Sequence, residues 1–434
     1  MNITIVRVLI LFLIVFAFGC KSAKHKTNAF NTIKNEVFID SMMTNALEKG
    51  FFPGAQIIVG HKDSIFINKN YGYHDYSKQQ EVISNDVYDL ASISKVLGAT
   101  LVSMDLVGKD KISLNDKLAD LVPVYKNTAI ADLSLFELLT HTSGLKASIT
   151  FYDSLLSTPD GSILLSNEQS EDYPNQFGDM YVNRNIVYDS IFLSFENKEN
   201  FVQVYKNMWV TPEFYKQMSD RMASALINPR GKYVYSDLNL ILAQQMLEAK
   251  TGKKLDELAN EIYRQLEISN IGFNPLTWTS EKNVIPTEID NFFRKDTIKG
   301  FVHDESAAIL GGISGNAGLF SNAESIAVIS QMLLNKGKFK GHQVLKPKVV
   351  RVFTKSPLAK KGIYRGIGFD KRKPNEFYHK HDFGHTGFTG TFFFINPDTD
   401  RFLVILSNRV NPTRTNRLLY EDDFFQKIWK HIND

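Results

Sequence analysis

The chain reads as an α/β protein of the α+β kind: a central antiparallel sheet drawn from both chain ends, flanking helices, and an inserted, mainly helical subdomain. Two observations predict it. Short β-rich runs gather near residues 54–70 and again at 366–408, while apolar residues between them recur at helical spacing.

Residues 54–59 and 64–70, split by His61-Lys62-Asp63, predict a hairpin that opens the sheet. Ser92 then heads an apolar run (Val96, Leu97, Ala99, Leu101, Val102, Met104, Leu106, Val107) long enough for a buried helix. Asp86 and Asp89 before it suit a helix N-terminus. Residues 111–122 mix polar and apolar positions and end at Pro123, the pattern of a helical region broken by turns. Residues 134–139 form a helix capped by Ser134, with Glu137 three residues on. Residues 146–207 mix Gly, Pro, Asn, Asp and Tyr without a sustained period. They read as a long insertion of little regular structure beside a site. Helical periodicity returns at 211–226, 238–250 (stopped by Thr251-Gly252), 255–266 and 325–335 (stopped by Gly337). Residues 366–369, 391–396 and 402–408 read as strands, the last two joined by the turn Pro397-Asp398-Thr399-Asp400. A helix over 420–432 closes the chain.

Composition narrows the function. Hydrophobic content of 43% and charged content of 22% are those of a globular domain. A net charge of +3 without a lysine-arginine block argues against nucleic acid as a partner. Arg7, the apolar run 8–18 and Gly19-Cys20 form a targeting segment, too short for a mature span, which takes about 20 residues. Cys20 is the single cysteine, so no intramolecular disulfide forms and the fold rests on its core. The organisation expected is a signal peptide over 1–20, a polar tether over 21–34 and one domain over 35–434. A small residue directly before the cysteine resembles the cleavage box of bacterial lipoproteins, although Ala17 stands where leucine is preferred. That resemblance implies lipidation of Cys20 and a periplasmic or outer-membrane-anchored protein.

Ser92 and Lys95 carry the chemistry. Three residues apart on a helix, hydroxyl and amine share one face, and the amine activates the alcohol as a nucleophile. A second copy of the spacing, Ser143-Gly144-Leu145-Lys146, follows a helix stop and need not share a face. Acyl transfer needs a further proton handler and an oxyanion site. Tyr235, ahead of the helix at 238, is the candidate acid-base group. The backbone N–H groups of Ser92 and Phe388 are candidates for the oxyanion hole, with Thr386 and Gly387 on an edge strand that lets substrate approach. His385 is a candidate for a substrate carboxylate or a proton relay.

Taken together these motifs resemble the serine β-lactamase and penicillin-binding-protein superfamily, in its class C-like branch. Ser92-Ile93-Ser94-Lys95 matches the nucleophile motif, Tyr235-Ser236-Asp237 the Y-x-N motif and His385-Thr386-Gly387 the K-T-G motif in its H-T-G form. Phe52-Pro53-Gly54-Ala55, residues 138–145 and residues 315–321 look like the same branch. The resemblance implies a β-lactamase/transpeptidase-like fold and an acyl-enzyme on Ser92. It implies that Lys95, neutral part of the time, accepts the Ser92 proton and that Tyr235 moves it to the leaving group. Substrates would be cell-wall-type D-amino-acid peptides or small esters, with no cofactor or metal. Asp237 in place of asparagine and His385 in place of lysine tilt away from an efficient β-lactamase. Asp237 would also pair with Lys95 and favour Tyr235 as the base. A β-lactamase and a non-catalytic penicillin-binding-like lipoprotein are the alternatives. A zinc site on His379, His381, Asp382 and His385 lacks an H-E-x-x-H, and no G-x-S-x-G elbow exists for an α/β-hydrolase.

Overall fold

The computed structural model describes residues 32–226 and 228–434. The leader, Cys20 and most of the tether lie outside the described residues. The elements that build the sheet and its cover are α1 (Thr32–Glu48), β1 (Gly54–His61), β2 (Ser64–Gly72), α2 (Leu101–Gly108), α3 (Leu135–Leu139), α4 (Asp237–Thr251), α5 (Leu255–Gln265), α6 (Ala323–Leu334), β3 (Phe383–Gly387), β4 (Thr391–Asn396), β5 (Arg401–Ser407) and α7 (Phe424–Asn433). The five strands pair in the order β3-β4-β5-β1-β2, antiparallel throughout, so both chain ends meet at the β5–β1 ladder.

Strand alternation divides this sheet between two cores. Ile58, Phe393, Ile395, Phe402, Val404 and Leu406 face the large core under α2, α4, α5 and α6. Ile57, Val59, Phe392, Phe394, Leu403 and Ile405 face a smaller core closed by α1 and α7. Because both faces are covered, the central strands read as unbroken apolar runs rather than as alternating ones. The residues α1 buries are Asn35, Ile39, Met43 and Ala46, three to four positions apart. This helix was not expected from the sequence, and Thr32 to Lys34 belong to it rather than to a tether.

Four local expectations change. The run after Ser92 is not one regular helix: a 3₁₀ turn over Ala91–Ile93 leads into a π-helical stretch, Lys95–Thr100, before α2. Asp86 lies off that helix, bonded to His74, whereas Asp89 accepts from the Ala91 amide. Residues 366–369 form no strand. Gly368 has φ +83° and sits where a Cβ would lie 2.0 Å from Thr100 Oγ1, so the segment turns, leaving single bridges at Asp370. The region 146–207 is a packed lobe. A 3₁₀ turn, Phe151–Leu155, and strands of two to four residues bury Phe151, Leu155, Val182 and Leu193 in the main core. Its last hairpin, Val202–Tyr205 with Met208–Val210, carries the lobe past residue 207. The Ser134–Glu137 capping box forms as expected.

Candidate active site

Ser92 sits in the first turn after Ala91, whose φ of +45° costs a non-glycine residue of order 1–3 kcal/mol. That strained corner brings the Ser92 side chain out of the core while Ser94 turns inward and accepts from the Leu319 amide at 3.0 Å. Lys95, 1% exposed, gathers the site. Its ammonium donates to Ser92 Oγ at 2.9 Å and to the Asn316 carbonyl at 2.9 Å, and lies 2.7 Å from Asp237 Oδ1. The Tyr235 hydroxyl is a further partner, with the ring centroid 5.2 Å away. Burial pulls the lysine's pKa down, but Asp237 and Tyr235 outweigh it and hold Lys95 above the ordinary lysine range. Lys95 is therefore an ammonium, and the expected neutral lysine that accepts the Ser92 proton is corrected. The expected Asp237–Lys95 pairing is present.

Tyr235 precedes α4 on a segment held from behind. The His141 ring stacks on it at 4.7 Å and 29°. Nδ1 of His141 accepts from the Ser236 amide and from Asn239 Nδ2, both at 3.1 Å. Burial, followed by Arg365 and Lys95, keeps His141 well below the usual histidine range, so it is neutral.

Strand β3 runs past Ser92 as the sheet's edge. A Cβ on Gly387 would lie 2.0 Å from Thr391 Oγ1 and 2.4 Å from the Leu90 carbonyl, so only glycine lets the strand end press against the Ser92 segment. Thr389 Oγ1 and Thr391 Oγ1 donate to the carbonyls of Asp89 and Leu90 at 2.7 and 3.1 Å, fastening the two segments. Phe388 follows directly, its ring 45% exposed and flanked by the His303 ring and the Arg409 guanidinium. Thr386 is half-buried on the same strand. The Ser92 amide belongs to a first helical turn, where N–H groups have no intrahelical partner.

His385 departs from expectation. It is buried, and burial, then Arg365, takes its pKa down to about 3. Nδ1 meets the Thr386 carbonyl at 2.7 Å and Nε2 meets the Arg365 guanidinium at 3.0 Å. A neutral ring with both nitrogens engaged offers neither a cation for a carboxylate nor a free proton. The fixed charge behind it is Arg365, which also binds Asp370 at 3.1 Å and lies 5.5 Å from the Tyr235 ring centroid. Arg365, His141 and Asn316 were missed as site residues. The stretches 138–145 and 315–321 carried a signal for His141 and Asn316, as part of the family-like pattern, and none marked Arg365. Asp304, which takes the Asn316 amide at 3.2 Å, is pushed up to about 6 by burial and by Asp237 and Glu305. His379, His381 and His385 turn to separate partners, Asn396, Asp398 and Arg365.

A family model described as Beta-lactamase matches residues 39–425. N-acetylmuramyl-L-alanine amidase of Bacillus subtilis is 26% identical over 403 residues, covering 86% of this chain and 80% of that protein. A putative D-alanyl-D-alanine carboxypeptidase of Escherichia coli is 26% identical over 410 residues, covering 86% and 81%. Among solved structures, EstCE1, a hydrolase with promiscuous acyltransferase activity, superposes with a TM-score of 0.60 at 16% identity, covering 92% of this chain and 99% of its own. The octameric penicillin-binding protein homologue from Pyrococcus abyssi gives 0.60 at 17% identity, with 91% and 77% covered. The chain belongs to the beta-lactamase family of serine hydrolases.

Proposed function

We propose that this protein is an exported, lipid-anchored hydrolase that forms an acyl-enzyme on Ser92 with cell-wall-type D-amino-acid peptides or small esters. The observation that carries the reading is the Lys95 ammonium, which holds Ser92 and Asp237 and lies 5.2 Å from the Tyr235 ring centroid. In the proposed step Tyr235 acts as the phenolate beside the Lys95 ammonium: Ser92 Oγ attacks the substrate carbonyl as its proton passes to the Tyr235 oxygen, and Lys95 stays charged and orients both oxygens. The Ser92 and Phe388 amides hold the oxyanion, with Thr386 and Gly387 lining the approach. Tyr235 then protonates the departing amine or alcohol, and later removes a proton from the water that releases the acid. Asp237 keeps Lys95 protonated, and His385 holds the edge of the site in place.

The names of the amidase and carboxypeptidase relatives favour a peptide of the cell wall as substrate. The ionised Asp237, which accepts but cannot donate, weighs against a β-lactam side-chain contact. The fitting experiment is intact-protein mass spectrometry after exposure to muropeptides, small esters and β-lactams. An acyl adduct on the native protein that Ser92→Ala lacks supports the reading. An adduct that survives in Ser92→Ala overturns the assigned nucleophile, and rapid β-lactam turnover overturns the substrate class. Lipid anchoring rests on Gly19-Cys20 and predicts that Cys20→Ser moves the protein from the membrane to the soluble fraction.

A further inference from the structure

A cleft of about 520 Å³ opens on the side of the domain where the 364–374 segment meets the β4–β5 turn, and none of Ser92, Lys95, Tyr235, Asp237 or His385 lines it. Its apolar lining includes Ala359, Tyr364, Pro374 and Pro397. Its walls carry Arg351, Lys355, Lys371 and Lys380, against the single carboxylate of Asp398, which His381 engages at 2.9 Å. Arg351, Lys355 and Lys380 are exposed and form no ion pair among the described residues.

Lys371 is the unusual member. It is 6% exposed, and its ammonium donates to two backbone carbonyls, those of His381 and Asp382, at 3.2 and 2.8 Å. No carboxylate lies in ion-pair range of it among the described residues. A buried charge is ordinarily paired, because desolvation costs several kcal/mol that a counter-charge must offset. Burial outweighs the more distant Asp382 and Asp398 and takes Lys371 down to about 8. An anion in the cleft would restore the missing counter-charge.

We infer that this cleft binds a phosphate group carried on an apolar body. Four basic side chains around one engaged carboxylate suit an anion of more than one charge, and a phosphate monoester carries about −1.5 to −2 at neutral pH. The apolar part of the lining suits the chain or ring that bears it. The neighbouring cavity shares Arg351, Thr354 and Pro397 and adds Lys336 and Lys348 against one carboxylate, Asp400, which Lys62 engages at 2.8 Å.

Calorimetric titration with inorganic phosphate and with dihexanoyl phosphatidic acid, kept below micelle formation, tests this. The expected result is saturable binding of the phosphatidic acid, at least tenfold tighter than that of inorganic phosphate. The triple variant Arg351→Gln, Lys355→Gln, Lys380→Gln changes only exposed residues and should weaken binding at least tenfold with an unchanged melting temperature. Lys371→Met should do the same if it folds. A matched variant at other exposed lysines, Lys216→Gln, Lys250→Gln and Lys282→Gln, should bind as the native protein does, and so should Ser92→Ala. Equal affinity for the two ligands would retain the phosphate site and remove the apolar body. Binding that the cleft variant leaves intact, or that the matched variant weakens as much, would overturn the proposal.

Discussion

Ser92-Ile93-Ser94-Lys95 and Ser143-Gly144-Leu145-Lys146 share one spacing and take opposite parts. In the first, a helical path from Ser92 to Lys95 sets ammonium and hydroxyl 2.9 Å apart. In the second, Gly144 has φ +84°, and a Cβ there would lie 2.3 Å from the Asn228 carbonyl. The chain reverses, and Ser143 Oγ turns to Asn239 Oδ1 at 2.6 Å and accepts from the Leu145 amide. The Lys146 carbonyl takes the Ser236 hydroxyl at 2.7 Å. The second copy thus braces α4 and the segment that carries Tyr235, while the first presents the proposed nucleophile. Backbone handedness, not residue spacing, separates chemistry from scaffold.

Exchanging the two serines gives the largest contrast. Ser92→Ala should abolish ester hydrolysis and acyl-adduct formation. Ser143→Ala should keep both and lower stability by about 1 kcal/mol, the scale of one buried hydrogen bond. Equal losses in a steady-state ester assay would erase the distinction. Next come the proton-handling partners. Tyr235→Phe should lower kcat on the order of 10²-fold or more, the scale for losing an acid-base group. Lys146→Ala should leave kcat nearly unchanged, because only its backbone is used. A Tyr235→Phe enzyme with near-native kcat would remove Tyr235 from the mechanism.

Gly144→Ala probes the reversal itself. The positive φ alone disfavours alanine by roughly 1 kcal/mol, and the 2.3 Å approach to Asn228 adds to it. Thermal unfolding should show the loss, with Ser92 still acylated in the protein that remains folded.

The pH dependence sharpens the comparison on the Ser92 side. Asp237 holds Lys95 above the ordinary lysine range, so activity that needs the ammonium falls only at strongly alkaline pH. Asp237→Asn removes that charge and leaves Tyr235 alone to oppose burial, so the alkaline limb of kcat against pH should move to lower pH. An unmoved limb would show that Lys95 does not set it. A last contrast, in stability and not in turnover, concerns His385. Its folded pKa of about 3 lies below the ordinary 6.5, so the unfolded chain binds the proton first as pH falls. Stability should therefore decline between about pH 6.5 and 3, and His385→Gln should flatten part of that decline in melting temperature.

What could be read ahead of the structure follows the range of the interactions. The hairpin, the Ser134 cap, helices α4 and α5 and the strands at 391–396 and 402–408 rest on neighbours in sequence, and all were legible. Helix α1 escaped because its buried stripe is only four residues deep and includes Asn35. The lobe at 146–207 looked unstructured because its strands are too short to show a period, although tertiary burial packs them. The strand expected at 366–369 failed at Gly368, where a contact with Thr100 from far along the chain forces the turn.

By itself the amino-acid order determined the family and the sheet built from both ends, and it singled out the serine, lysine, tyrosine and edge-strand glycine of the proposed site. Each of these is written in local spacing or in a short motif. Only the tertiary structure decided that Lys95 is an ammonium, that His385 is a neutral buried ring, and that Arg365 and His141 flank Tyr235. Charge state and neighbour identity depend on burial and on distances between segments far apart in the chain, and no local pattern encodes those.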